Sequence, residues 1–220
     1  MNSEPQMDTD LFRVLIMEDE VPLRKSLAAI LRSGLPGIEI LQAGTIHEGL
    51  EQIEQNPKLT LGILDIRVPK DVFFNEEANP EVADRLRELN VPCIFMTGYK
   101  ESDDVTSYLQ QRSIADPNVV VIEKLIKAGH LSSEIIRHAR PLFEKIACER
   151  VNKVIGEVFS NGVQGNRSTT AGWINAQKCI AAYWVYLNDA TKENVRKWVT
   201  LKEMENGEIQ ISLFEAGDLL

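Results

Sequence analysis

The chain has 220 residues, with 24 Lys and Arg against 33 Asp and Glu, and a formal net charge of −9. Its 44% hydrophobic and 26% charged residues are typical of a folded globular protein, which excludes a disordered chain or a small disulfide scaffold. The polar N-terminus, and the lack of an apolar run of about 18 residues, predict a cytoplasmic protein with no membrane segment.

The composition changes near residue 150. All three tryptophans lie beyond that point, and most of the acidic excess lies before it. At roughly 100–200 residues per domain, the length allows one large domain or two smaller ones. We therefore predict a disordered tail over 1–10, a first domain over 11–150 and a C-terminal output or dimerisation domain over 151–220.

Between residues 11 and 150, short runs rich in Val, Ile and Leu alternate with longer segments of helical periodicity. This alternation is typical of a parallel sheet covered by helices. The predicted strands are Phe12–Met17, Ile38–Gln42, Leu59–Leu64, Pro92–Met96 and Val119–Ile122. The predicted helices lie at about 21–33, 46–55, 80–89, 101–112 and 131–150. Five such units with right-handed crossovers predict an α/β fold with a doubly wound five-stranded parallel sheet.

Polar side chains follow the predicted strands at the edge where a doubly wound sheet places its site. The sequence contains neither G-x-G-x-x-G nor G-x-x-x-x-G-K-[ST], so a dinucleotide or P-loop site is not supported. Clustered carboxylates repel one another unless a cation compensates, and an all-oxygen donor set suits Mg²⁺. The residues are Glu18, Asp19 and Glu20 after the first strand, Asp65 after the third, Thr97 after the fourth and Lys124 after the fifth.

Asp65, at the tip of the central strand, is a candidate nucleophile toward a phosphoryl group. Mg²⁺ and Lys124 would neutralise the phosphoryl oxygens, and the Thr97 hydroxyl would donate a hydrogen bond to one of them. Taken singly, an acidic residue after a strand is most often a solvated loop end or a helix N-cap. Taken together, the residues predict a site that forms an aspartyl phosphate.

Residues 12–140 resemble the receiver (CheY-like) domain of two-component response regulators. Val14–Glu20 looks like the family's first strand and acidic pair, and Leu64–Pro69 looks like its phosphoacceptor strand and loop. Phe95–Gly98 looks like the fourth strand with the switch hydroxyl, and Lys124 looks like the family's lysine. The resemblance implies the strand order 2-1-3-4-5.

By this resemblance, Asp65 would accept a phosphoryl group from a sensor histidine kinase or a phosphotransfer protein. Mg²⁺ would be held by Asp19, Asp65 and the main-chain carbonyl of Arg67, and Glu18 would act on the metal mostly through water. Phosphorylation would switch the C-terminal domain or dimerisation. The resemblance thus implies a signalling phosphoprotein rather than an enzyme, with self-phosphorylation and autodephosphorylation as its only chemistry.

The sequence departs from the family's pattern at two positions near the predicted site. Leu125 follows Lys124 where the family usually has proline, so Lys127 is an alternative for the active-site lysine. Val121 stands where the family usually has an aromatic switch residue. These departures favour an alternative function, a phosphorylation-independent pseudo-receiver that binds a protein partner.

A third interpretation is a phosphatase of the haloacid-dehalogenase type, which also uses an aspartyl phosphate. That family has its nucleophile at the first strand and a second aspartate two residues further on. In this chain the residue two after Asp65 is Arg67.

The C-terminal segment has no family that we identify. Helical periodicity over 131–160 is interrupted by Pro141, which predicts a kinked or divided helix. Helices over 171–187 and 191–199, then a hairpin around Asn206-Gly207, suggest a winged DNA-binding domain. Basic residues outnumber acidic ones over 161–200, but the acidic segment 201–220 would repel phosphates. A mainly helical dimerisation module, giving a homodimer, or a protein-docking module is the competing interpretation.

Overall fold

The computed structural model describes residues 12–69, 76–78, 80–98, 119–124, 128–162, 170–204 and 209–213. The chain packs as two compact units, one formed by Leu11–Ala139 and the other including Arg140–Leu220. This division falls inside the helix Ala128–Gly162, and the boundary predicted near residue 150 lies further along that helix. The helix continues through both positions, so the helical pattern of the sequence does not mark the division. The predicted tail over 1–10 lies outside the described residues.

The strands of the first unit are β1 (Phe12–Met17), β2 (Ile38–Ala43), β3 (Leu59–Asp65), β4 (Arg67–Pro69), β5 (Glu76–Ala78), β6 (Cys93–Thr97) and β7 (Val119–Glu123). Five of them form a parallel sheet with β3 at its centre. Its order is β2-β1-β3-β6-β7, which confirms the predicted order 2-1-3-4-5 once the parallel strands alone are counted. Two short antiparallel strands, β4 and β5, were not predicted.

Three helices follow β1, β2 and β5, at α1 (Val21–Gly34), α2 (Ile46–Gln55) and α3 (Pro80–Glu88). They lie within one residue of the predicted bounds because a stripe of apolar residues at helical spacing marks each of them. In α1 this stripe includes Leu27 and Leu31, which are both buried. The predicted helix over 101–112 lies outside the described residues.

The register of the parallel strands brings the chemistry-bearing residues to one edge. Met17 of β1 pairs with Leu64 of β3, so the residues that follow them, Glu18 and Asp65, leave the sheet at the same level. Asp65 pairs in turn with Met96, one residue before Thr97. Because all five strands are parallel, their carboxyl ends share this edge.

The helix α4 (Ala128–Gly162) is longer than the predicted 131–150 and runs through Pro141 without division. Pro141 lacks an N–H for the carbonyl four residues earlier, which belongs to Arg137. Both residues are exposed, so water can satisfy that carbonyl and the helix can continue.

The second unit contains α5 (Thr170–Tyr183), a 3₁₀ helix (Trp184–Tyr186), α6 (Asp189–Arg196) and the antiparallel strands β8 (Val199–Glu203) and β9 (Ile209–Leu213). The predicted hairpin is confirmed, and its Asn206-Gly207 turn lies outside the described residues. α6 begins earlier than predicted because the Asn188 side chain accepts a hydrogen bond from the Thr191 N–H at 2.8 Å. Edge-to-face packing of Phe143 on Tyr186, with ring centroids 5.8 Å apart, forms part of this unit's core.

Across the described ranges of the chain, the helices are all too short or too polar to cross a bilayer.

Candidate functional site

Three carboxylates converge at the carboxyl edge of the sheet. Glu18, Asp19 and Asp65 each offer an oxygen, and these oxygens all lie within 4.8 Å of one another. Glu18 and Asp65 are buried, whereas Asp19 is partly exposed. The strand register explains the convergence, because β1 and β3 are neighbours that end side by side.

Lys124 supplies the positive charge of this cluster. Its Nζ lies 2.5 Å from Oδ2 of Asp65 and 2.8 Å from Oε2 of Glu18. The main-chain N–H of Lys124 donates to the carbonyl oxygen of Thr97 at 2.6 Å, which anchors the lysine beyond the end of β7. The structure thus brings Lys124 into the site without a following proline, and the alternative, Lys127, lies outside the described residues.

Burial and charge shift the pKa of each of these groups. Burial, together with the negative charge of Asp65, raises the pKa of Glu18 to about 7 against the opposing effect of Lys124. Burial also raises the pKa of Asp65, although Lys124 opposes this shift too. Burial lowers the pKa of Lys124, but its hydrogen bonds and attraction to Asp65 and Glu18 outweigh this, so the net shift is upward.

Arg67 and Thr97 lie at the same edge of the sheet. The main-chain N–H of Arg67 donates to Oδ1 of Asp65 at 3.4 Å, and the Arg67 side chain is exposed. Thr97, the last residue of β6, is buried. Val121, at the predicted switch position on β7, is 38% exposed. Arg67 thus contacts Asp65 through its main-chain N–H, and Thr97 contacts Lys124 through its main-chain carbonyl.

The donor set suits a hard divalent cation. Glu18, Asp19 and Asp65 contribute oxygen ligands, the type that Mg²⁺ prefers. One lysine faces two buried carboxylates and a third, partly exposed one, so a further positive charge would reduce the repulsion that remains. The residues present therefore fit the predicted Mg²⁺ site.

The strand order of the first unit identifies its fold. Five parallel strands in the order 2-1-3-4-5 form the doubly wound arrangement found in CheY. The first unit has the receiver fold. Neither a protein-family model nor a curated protein matches the sequence.

Solved structures similar to this chain include three response regulator proteins. A CheY-like receiver domain from Methanospirillum hungatei is 24% identical, with 60% of this chain and 96% of that chain covered and a TM-score of 0.47. A receiver domain protein from Clostridium thermocellum is 19% identical, with 60% and 99% covered and a TM-score of 0.44. A LuxR-family DNA-binding response regulator from Staphylococcus aureus is 22% identical, with 58% and 98% covered and a TM-score of 0.45. The similarity is one of fold and leaves the rest of the chain unassigned.

Sequence reasoning missed one residue that contacts the acidic loop of the receiver. A guanidinium nitrogen of Arg24, in the first turns of α1, donates to the carbonyl oxygen of Glu18. A signal was available, because Arg24 lies three and seven residues before Leu27 and Leu31 and so shares the buried stripe of its helix. A charged residue on such a stripe usually has a specific partner.

Proposed function

We propose that the protein is a response regulator that accepts a phosphoryl group on Asp65 in a two-component phosphorelay. The donor is a sensor histidine kinase or a phosphotransfer protein, and the reaction takes place in the cytoplasm. The observation that carries the proposal is the Asp65 carboxylate at the end of β3, with the Lys124 ammonium 2.5 Å away and two further carboxylates beside it.

The transfer needs little from the protein beyond position and charge. A carboxylate oxygen of Asp65 attacks the phosphorus, an O–P bond forms, and the P–N bond to the donor histidine breaks with its electron pair going to the imidazole nitrogen. Lys124 neutralises charge on the phosphoryl oxygens, and Thr97 donates its hydroxyl hydrogen to one of them.

Asp19, Asp65 and the main-chain carbonyl of Arg67 would hold Mg²⁺, with Glu18 acting through water. The ion's contribution is to neutralise negative charge as the carboxylate and phosphoryl group approach. Burial of Glu18 and Asp65 limits the screening of these charge interactions by bulk solvent.

We further propose that phosphorylation switches the second unit or the dimerisation of the chain, and that the protein turns over no separate substrate. A haloacid-dehalogenase-type phosphatase has its nucleophile at the first strand, whereas Asp65 ends β3. DNA binding by the second unit is an alternative output. The contacts of Lys192 and Arg196 with the Trp184 ring place two cations on one face of this unit, which supports that alternative.

Acetyl phosphate with Mg²⁺ tests the proposal, read by intact mass and by size-exclusion chromatography. Wild type should gain the mass of one phosphoryl group. Hydroxylamine should remove that group, because an acyl phosphate is a mixed anhydride whose carbonyl carbon hydroxylamine attacks, which releases phosphate and leaves a hydroxamate. Asp65→Asn should gain none, and Asp84→Asn, a matched change at an exposed position on α3, should be labelled like wild type.

A change in elution volume on labelling would support a switch in assembly. Failure to label wild type at any Mg²⁺ concentration would contradict the proposal and favour the pseudo-receiver, in which Val121 and Leu125 replace the family's switch aromatic and proline. Steady turnover of small phosphate esters would instead favour the phosphatase.

A further inference from the structure

The acidic loop after β1 is held by four hydrogen bonds. The Glu18 N–H donates to the Ala43 carbonyl at 3.1 Å, and the Glu20 N–H donates to Oε1 of Glu18 at 3.3 Å. Arg24 supplies the other two donors. Its main-chain N–H donates to the Glu20 carbonyl at 2.9 Å, and its Nη1 donates to the Glu18 carbonyl. The Glu18 carbonyl belongs to the peptide that joins Glu18 to Asp19, so this bond acts between two carboxylates of the site.

Gly44 leaves the space that the Arg24 guanidinium occupies. A methyl carbon built on Gly44 would lie 2.6 Å from Nη1 and 3.3 Å from Cζ of Arg24, so the end of the arginine side chain would have to shift. Among the described glycines, φ is positive at Gly37 and not at Gly44. The backbone conformation at position 44 therefore does not require glycine. The Gly44 N–H donates to Oε2 of Glu48 at 2.6 Å, and this bond connects the loop that contains Gly44 to α2.

We propose that Arg24 is a positioning residue for the metal-binding carboxylates, and that residue 44 is glycine so that the guanidinium can reach the Glu18 carbonyl. The inference rests on the proposed function in taking Glu18, Asp19 and Asp65 as the metal-binding group.

Arg24 acts on this group through the backbone. Lys124 is the cation that contacts the carboxylate oxygens of Asp65 and Glu18, whereas the guanidinium contacts a carbonyl. Its directional hydrogen bond fixes the plane of the Glu18–Asp19 peptide, and that plane sets the directions in which the two side chains leave the loop. Loss of a partner that orients metal ligands typically weakens metal binding about tenfold or more.

Mn²⁺ is the probe for the test, because the free ion has an electron paramagnetic resonance signal that bound ion loses. The full-length protein is titrated as wild type, Arg24→Gln, Gly44→Ala and the double variant. We expect each single variant to bind Mn²⁺ about tenfold more weakly than wild type. The double variant should bind no more weakly than Arg24→Gln, because both changes remove the same hydrogen bond.

Two matched controls should bind Mn²⁺ like wild type. Lys25→Gln removes a charge from the exposed neighbour of Arg24, and Gly156→Ala adds a methyl group where nothing lies within 4 Å. Thermal unfolding of every variant shows whether the fold is kept. Should Arg24→Gln fail to fold, Gly44→Ala, which keeps the arginine, carries the comparison.

Wild-type affinity in Arg24→Gln or Gly44→Ala would overturn the inference, as would losses that add in the double variant or an absence of Mn²⁺ binding by wild type. Labelling with acetyl phosphate tests the proposed function separately. Mn²⁺ binding that depends on Arg24, in a protein that acetyl phosphate does not label, would overturn the phosphorelay function and leave the role of Arg24 standing.

Discussion

Glu18 is a buried carboxylate with a partner that compensates only part of its charge. Lys124 contacts it at 2.8 Å but also contacts Asp65, so one ammonium serves two carboxylates. The Glu18 pKa rises from 4.5 to about 7, with burial as the main cause. A carboxyl group with a raised pKa binds its proton more tightly in the folded state than in the unfolded state.

The metal-free protein should therefore lose stability as pH rises through the interval from about 4.5 to about 7. Below this interval Glu18 is protonated in both states, and its contribution is fully present. Above it, the folded state holds a carboxylate that burial disfavours. We expect Glu18→Gln, which stays neutral, to gain roughly 1–3 kcal/mol of unfolding free energy relative to wild type between about pH 5 and pH 8.

Urea unfolding in the presence of a chelator measures this difference. Glu54→Gln changes an exposed carboxylate on α2 and should follow wild type at every pH. Parallel pH profiles for wild type and Glu18→Gln would contradict the prediction.

Two side chains and two backbone N–H groups define the start of the helix α2. The Thr45 Oγ1 accepts a hydrogen bond from the Glu48 N–H at 3.1 Å, while Glu48 Oε2 accepts one from the Gly44 N–H. This resembles a capping box, shifted by one residue on the return bond. The cap also fixes the loop at the end of β2 that borders Arg24.

Thr45→Ala should lower the unfolding free energy by about 1 kcal/mol, because it leaves the Glu48 N–H without its acceptor. Thr45→Ser keeps the hydroxyl and should retain most of that stability. Circular dichroism during urea unfolding compares the three proteins. An equal loss in the serine and alanine variants would show that the methyl group, rather than the hydrogen bond, carries the effect.

The whole molecule consists of two units that each have their own buried core. All three tryptophans lie in the unit that includes Arg140–Leu220. Tryptophan fluorescence therefore reports the unfolding of that unit, whereas circular dichroism reports helices and strands of both. The two signals can separate the units within the intact chain.

Lys124→Met should destabilise the receiver unit by roughly 3 kcal/mol, because it leaves two buried carboxylates without their cation. We expect the circular dichroism transition to shift to lower urea while the tryptophan transition stays at its wild-type midpoint. Lys145→Met, at an exposed position on α4 in the other unit, should leave the receiver transition unchanged. Equal shifts of both signals in Lys124→Met would show that the units unfold together.

Local patterns in the sequence were sufficient to predict the five parallel strands, the helices α1 to α3 and the hairpin, because apolar periodicity and turn residues act over short distances along the chain. They also identified Glu18, Asp65, Thr97 and Lys124 as residues that the strands bring to one edge. The tertiary structure decided what depends on neighbours distant in sequence. It determined the β4–β5 pairing, the continuity of α4 through exposed Pro141 and the placement of Lys124 within reach of two carboxylates.

The contact between Arg24 and the Glu18 carbonyl belongs to this second group. Its acceptor is a main-chain atom that every residue has, and its space depends on Gly44 in the loop after β2, so only the packed sheet brings the three residues together.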